Sequence, residues 1–373
     1  MIDQVAAAFE RQDYRAAAQL LQQLSQISPQ NPWVQFYLGR LDEVSGKLET
    51  AEEIYRQLLR NVSNTKIMAQ ARQGLQRVQA IAKEQRTQAI AQATSDPSNN
   101  QLGVLVLEPI SPDIRTVAAQ KLAQILQIDP YTARLQLPSR GWRLYRTGAI
   151  GELRFLGQKL RAAGVECFWA TLAEIHKIQV FQVSYFQQSA QARVVCQNEQ
   201  GQIGSLAFNW SEVTQRAEGL LPIFEEVVDL DHRGKLKRKT QIQDYVQFCD
   251  LHLPQRHCIL RLHAHSYQFQ QGLITAPQPS QTTIRINWNS LVNFLDQQLS
   301  HATVWSDFTP FAETVLDQKE LLGRIDSHIH LFRRAETSWD SAFHLYSGLV
   351  FSRSQGAKVN EEDKGTGGQG DNP

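Results

Sequence analysis

From residue 2 to about residue 94, apolar side chains recur three and four positions apart, the interval that gathers them on one stripe of a helix. Ala17, Leu21 and Leu24 form one such set, Ala51, Tyr55 and Leu58 a second, and Ile67, Ala71, Leu75, Val78, Ile81 and Ala82 a third that predicts a helix over residues 65–93. Ser95-Asp-Pro-Ser-Asn-Asn100 then breaks the pattern with turn formers, which makes residues 95–101 a linker. Beyond it the period changes. Short apolar runs at 102–107, 142–146 and 165–172 read as strands, and 117–128, 133–137 and 150–163 as helices, the last ended by Gly164. From 178 to 286 the pattern is mostly that of strands, at 178–186, 192–196, 203–209, 224–230, 239–253, 258–266 and 282–287, with Asn198-Glu-Gln-Gly201 as a hairpin turn. Helical spacing returns at 289–299 and again at Trp339, Phe343 and Tyr346, which predict a terminal helix docked by one aromatic face.

The first two helical sets superpose at an offset of 34 residues: Tyr14 falls on Leu48, Ala17 on Ala51, Leu21 on Tyr55 and Leu24 on Leu58. The second copy reads Pro32-Trp-Val-Gln-Phe-Tyr-Leu-Gly39, then Gly46, Ala51 and Tyr55. Small residues at 39 and 51 allow close helix approach, Gly46 supplies the turn, and Pro32 opens a helix where its missing N–H costs nothing. This spacing resembles the tetratricopeptide repeat, a helix hairpin of that period. The first copy is degraded, with Val5 at the glycine position and Gln12 at the turn, the second lacks a closing proline at Ser63, and no third copy is visible. Because each unit buries its apolar face only against a neighbour, the helix at 65–93 is expected to cap the pair. The resemblance implies a groove lined by Phe9, Trp33, Phe36, Tyr37, Arg40 and Glu43 that holds a partner protein. Arg40 is the only cation among these positions, which departs from the carboxylate-clamp version of the repeat and argues against a chaperone C-terminus as ligand.

Residues 102–172 follow the order β-α-α-β-α-β, with a helix ending in Ala-Ala-Gly before the last strand. In this they resemble the C-terminal domain of the bacterial ribosomal stalk protein, a likeness of topology that implies an α/β sandwich and no activity. The fold class expected is therefore multidomain α+β. Helical repeats with their capping helix fill 1–94, a small α/β domain 102–175, a β-rich domain with C-terminal helices 176–351, and a disordered polar tail 352–373.

The 373 residues are 42% hydrophobic and 20% charged, enough for more than one core, and the net charge of +1 gives no global attraction for nucleic acid or anionic lipid. No apolar run approaches the roughly 18–20 residues of a membrane span, and the first helix is amphipathic rather than signal-like, so a cytoplasmic location is expected. Cys167, Cys196, Cys249 and Cys258 show no paired spacing and read as buried free thiols.

Candidate chemistry is sparse. Asp326-Ser-His328-Ile-His330 matches the aspartate-x-histidine-x-histidine element of amidohydrolases, but there it opens a barrel and the other ligands follow, whereas only 43 residues follow His330 here. His263 and His265 join His328 and His330 as an alternative metal set, since histidines two apart on a strand share a face. On a helix, His328 and His330 diverge by about 200° and share nothing. No serine sits in a glycine-flanked elbow, and no glycine-rich segment precedes a helix as a phosphate loop does, so no cofactor is expected. Arg233, Lys235, Lys237, Arg238 and Lys239 form the most basic stretch, expected as a solvated turn and, as a weaker alternative, a nucleic-acid or ribosome-associated face. The reading that follows is a non-enzymatic interaction scaffold or assembly factor that binds another protein through its repeats. The alternative is a metal-binding protein or enzyme with a histidine site in the C-terminal part.

Overall fold

A computed structural model describes residues 1–230, 236–273, 283–333 and 336–365. The chain forms two compact units, Met1–Ser95 and Asp96–Pro373. Among the described residues no helix is long and apolar enough to cross a membrane.

The first unit is built from α1 (Ile2–Glu10), α2 (Tyr14–Ile27), α3 (Pro32–Val44), α4 (Leu48–Asn61) and α5 (Thr65–Ala93). The second helix of each hairpin starts at Tyr14 and Leu48, the positions the 34-residue offset superposes, and Ala17, Leu21, Leu24, Ala51, Tyr55 and Leu58 are all buried. Asp13, Asn31 and Asn64 cap the starts of α2, α3 and α5 by accepting backbone N–H groups. Tyr55 is the wedge of this core. A Cβ at Gly39 would stand 3.0 Å from its ring and one at Gly74 only 2.5 Å away, so glycines on α3 and α5 admit the ring between them. Helix α5 thus lies where a third repeat would place its first helix, and it shields the apolar edge that two hairpins leave open.

The two hairpin turns are equivalent in backbone but not in residue: Gly46 has φ 78° and Gln12 φ 60°. A side chain in the left-handed region costs roughly 1–2 kcal/mol, offset in part by the greater chain entropy of glycine. Gln12→Gly is therefore expected to stabilise the first unit by about 0.5–1 kcal/mol. Urea denaturation reads this directly, and a loss of stability on this change would refute the assignment of strain to the turn.

The second unit opens with a 3-10 helix (Pro97–Asn100), inside the stretch read as a linker, and continues with β1 (Leu102–Leu107), α6 (Arg115–Leu126), α7 (Pro130–Gln136), β2 (Arg143–Ala149), α8 (Ile150–Ala162) and β3 (Cys167–Thr171). The strands pair antiparallel in the order β2-β1-β3. Alternation along β1 divides its side chains. Leu105 and Leu107 enter a core with α6, α7 and α8, while Val104 and Val106 enter a larger core shared with the rest of the unit.

That remainder comprises α9 (Leu172–His176), β4 (Gln179–Gln188), β5 (Ala192–Gln197), β6 (Ile203–Phe208), β7 (Gln215–Leu230), β8 (Leu236–Leu253), β9 (Cys258–His263), α10 (Ile284–Gln298), β10 (Thr303–Trp305), α11 (Phe308–Val315), α12 (Lys319–Leu322) and α13 (Ser338–Gly365). Its sheet runs β10-β7-β8-β9-β4-β5-β6, with β10/β7 and β4/β9 parallel and the other pairs antiparallel. The fold class is that expected: helical repeats, then a sheet-rich region with C-terminal helices.

Elements α9, β10, α11 and α12 escaped the sequence reading, and three further details differ from it. Residues 283–287, expected in a strand, form the cap and first turn of α10, and residues 281 and 282 lie outside the described residues. Thr-Ile-Arg-Ile favours a strand locally, but Trp288, Leu291 and Leu295 bury one helical face and tertiary packing decides. The division near residue 175 crosses a continuous core, because Val104, Trp142 and Phe168 pack in the same cluster as Phe248 and Leu260. Finally, α13 continues past Ser352 to Gly365. Its proline-free sequence of Gln, Ala, Lys and Glu can extend a helix already fixed by buried turns, and residues 366–373 lie outside the described residues.

Candidate functional site

On the first unit, α1, α3 and α5 line one side, joined by aromatic and ionic contacts. Phe9 of α1 stacks on Tyr37 of α3 at 5.4 Å, Trp33 stacks on Tyr37 at 6.2 Å, and Lys66 of α5 lies 5.8 Å over the Trp33 ring. Arg40 lies 4.9 Å over Phe9. Glu43 receives Arg77 through Nε at 2.7 Å and Nη2 at 3.0 Å, and the Tyr55 hydroxyl at 2.7 Å. Burial raises the Glu43 carboxyl, yet the hydrogen bonds from Arg77 and Tyr55 outweigh it and hold the group below its ordinary value. Desolvation and the same carboxylate push the Tyr55 phenol well up, so it remains a donor.

The six expected groove residues therefore divide. Phe9, Phe36 and Tyr37 are buried in the unit's own core, where Phe36 also meets Tyr55 at 6.0 Å. Trp33, Arg40 and Glu43 are half-buried, with Glu43 engaged by Arg77. Lys66 and Arg77, both exposed on α5, escaped the sequence reading. Their signal was present: Arg77 lies 34 residues after Glu43, the repeat period carried into the capping helix.

The histidine quartet does not assemble. His263 is buried with its ring stacked on Phe248 at 4.9 Å, and His265 is exposed on the turn that follows. His328 has φ 50° and sits 4.8 Å from the His344 ring with Nδ1 3.5 Å from Glu199, while His330 is exposed. Residue 328 lies in no helix or strand, so neither the shared-face nor the helical geometry applies. Among the described residues no group of three or more His, Cys, Asp or Glu side chains is placed to hold a metal ion.

The second unit holds a polar network inside its core. Along β8, Phe248, Asp250 and His252 project to one face, and along α13 Phe343, Ser347 and Phe351 do the same. Two strand residues advance about 6.6 Å and four helix residues about 6 Å, so the rows align. Phe343 meets Phe248, Ser347 Oγ donates to Asp250 Oδ2 at 2.6 Å, and Phe351 meets His252. Arg261 of β9, paired in register with Asp250, donates to both its carboxylate oxygens at 2.9 and 2.7 Å and to the Ser327 carbonyl at 2.7 Å. Both ionic side chains are 0% exposed.

This network contains serine, histidine and aspartate, but not in a hydrolytic order. Since the Ser347 proton goes to Asp250, its oxygen accepts from His252 Nε2–H at 3.0 Å, and His252 Nδ1 is left without a partner among the described residues. No base can take the Ser347 proton except a carboxylate already paired with Arg261, and all four side chains are fully buried. The arrangement is structural.

The basic stretch is only partly described. Arg233, Lys235 and the side chain of Lys237 lie outside the described residues. Arg238 and Lys239 are exposed on β8 opposite Val228 and Val227, and Arg238 lies 4.0 Å from Glu226. The four cysteines are free and buried, as expected.

Residues 8–75 match the tetratricopeptide repeat family. No curated protein and no solved structure matches the chain. The likeness of residues 102–172 to the ribosomal stalk domain thus stays one of element order.

Proposed function

We propose that the N-terminal tetratricopeptide repeats dock a partner protein on the side lined by α1, α3 and α5, and that the chain works as a non-enzymatic scaffold or assembly factor. Repeats of this kind generally mediate protein–protein binding. The observation that supports the reading is the row Arg40, Trp33 and Lys66, where a half-buried indole lies beneath an exposed cation on the adjacent helix. Trp and Arg are the side chains most enriched among residues that dominate binding energy. Arg77 satisfies Glu43, and Asp3 and Glu10 of α1 act on Tyr37 together with Arg40, so the row offers an indole among charges of both signs and suits a partner segment with an apolar anchor flanked by charged residues.

Phe9, Phe36 and Tyr37 belong to the core, so a variant that tests binding leaves them intact. Trp33→Ala/Arg40→Ala/Lys66→Ala is expected to keep the helical circular dichroism of the wild type. It is also expected to lose a specific partner in affinity capture from native lysate, with the purified partner binding roughly 30-fold or more weakly. If the folded triple variant retains every partner of the wild type, the docking side lies elsewhere.

A further inference from the structure

A cavity of about 200 Å³ opens in the second unit between the end of β1, the approach to β2, β10 and α13, lined among the described residues by Glu108, Trp142, Trp305, Asp307, Tyr346 and Arg353 with Pro109 and Gly141. Its walls are aromatic. Trp142 packs against Trp305 at 4.8 Å and Tyr346 at 5.7 Å, and Phe168 supports Trp142 from behind at 4.7 Å. One cation already uses these rings: the Arg353 guanidinium lies 5.6 Å from Trp142, 5.6 Å from Phe168 and 5.5 Å from Trp305, with Nη2 2.9 Å from Glu108 Oε2.

Arg353 accounts for one carboxylate and leaves another. Asp307 stands at the N-cap of α11 but its side chain caps no backbone N–H. Gly141, at φ 60°, keeps the wall beside it thin, since a Cβ there would stand 2.9 Å from Asp307 Cβ. The lining therefore carries two carboxylates and one guanidinium, a deficit of one positive charge, around a void faced by π-surfaces. Rings of this kind attract cations through their negative faces, and Asp307, exposed to solvent, keeps its charge beside them.

We propose that this cavity binds a monovalent organic cation, an alkylammonium or alkylguanidinium head group, with its charge against Asp307 and its apolar surface against Trp142, Trp305 and Tyr346, beside the resident Arg353. Inorganic cations do not suit the site, because a hydrated ion gains little from the aromatic walls and two separated carboxylates do not form an oxygen cage. The volume admits a head group rather than a large ligand. This assignment concerns the second unit and is independent of partner docking by the repeats.

Isothermal titration of the full chain with tetramethylammonium chloride, against sodium chloride at matched ionic strength, tests the site. Saturable heat with a Kd on the order of 1 mM is expected, weakened about tenfold by Asp307→Asn and by Trp305→Leu. Ethylguanidinium is expected to compete. An acetylated and amidated Gly-Arg-Gly peptide distinguishes the sources: competition by it assigns a partner's arginine side chain, and its failure beside ethylguanidinium assigns a free small cation. Thermal melts of each variant establish that it is folded, and Asp307→Asn, nearly isosteric, keeps the test open should Trp305→Leu unfold. Absence of saturable heat with both cations in the wild type, or unchanged affinity in folded Asp307→Asn, would overturn the proposal.

Discussion

Arg261→Met destabilises the second unit by about 3–5 kcal/mol, the expected cost of breaking a buried ion pair from one side. The guanidinium gives two hydrogen bonds to Asp250 and one to the Ser327 carbonyl, with no solvent contact on either charged partner. Methionine fills much of the volume, so the loss is that of a countercharge rather than a cavity. Asp250→Ala carries a penalty of the same order and strands the Ser347 hydroxyl as well. The double variant Arg261→Met/Asp250→Ala is expected to be less destabilised than the sum of the singles by several kcal/mol, because the surviving partner of each single is what costs most. Every tryptophan except Trp33 lies in the second unit, so fluorescence-detected urea unfolding reports it. Additive singles would mean that the pair contributes no coupling and that water reaches the site.

The second large effect is acid destabilisation above the carboxylate range. Burial pushes His252 down to about 4 and His263 down to about 3, and holds His344 well below its ordinary value. Nearby charges contribute less: for His252 the Asp250 carboxylate favours protonation and Arg261 opposes it. All three are neutral in the folded unit, while in the unfolded chain they take up protons near pH 6.5. The unfolded state therefore binds more protons as pH falls through 6.5. The stability these neutral histidines carry is complete above that value and is lost towards pH 4 for His252 and pH 3 for His263. With three protons at stake, the unfolding free energy is expected to fall by up to about 4 kcal/mol per pH unit near pH 5. Ordinary carboxylates titrate at about 3.9–4.3, below a series from pH 7 to pH 5; within it burial of His328 adds to the effect, while burial of Glu108 and Glu218, which raises their carboxyls, works against it. A urea midpoint that does not move over that interval would rule out the buried neutral state.

The parts of the fold legible in the sequence are those set by neighbours along the chain. Tyr14 and Leu48 begin matched helices because capping, turn and apolar spacing all act within one hairpin. Gly201 turns the β5/β6 hairpin with φ 78°, as its sequence requires. Phe343 and Tyr346 are buried on one face of α13, as their spacing predicts. The candidate docking side was legible only in part. Helical spacing places Phe9, Trp33, Phe36 and Tyr37 on inward-facing turns, but whether such a ring meets solvent or another helix depends on α5, which closes over Tyr55 and Trp33.

The chain by itself thus determined the repeats, their period and most of the helices and strands, because local propensity and side-chain periodicity carry that information within a few turns of backbone. Only tertiary structure decided the chemistry. Asp250 and Arg261 meet through strand register, Ser347 joins them across a helix-to-sheet contact, and Glu108, Trp142, Trp305, Asp307 and Arg353 converge from separate segments. The histidine pairs, 63 residues apart in sequence, come within electrostatic reach of each other through His263 and His330, yet among the described residues they form no group placed to hold a metal ion. Burial of a charge or exposure of a ring is a property of what lies opposite it, and nothing in the local sequence states what that will be.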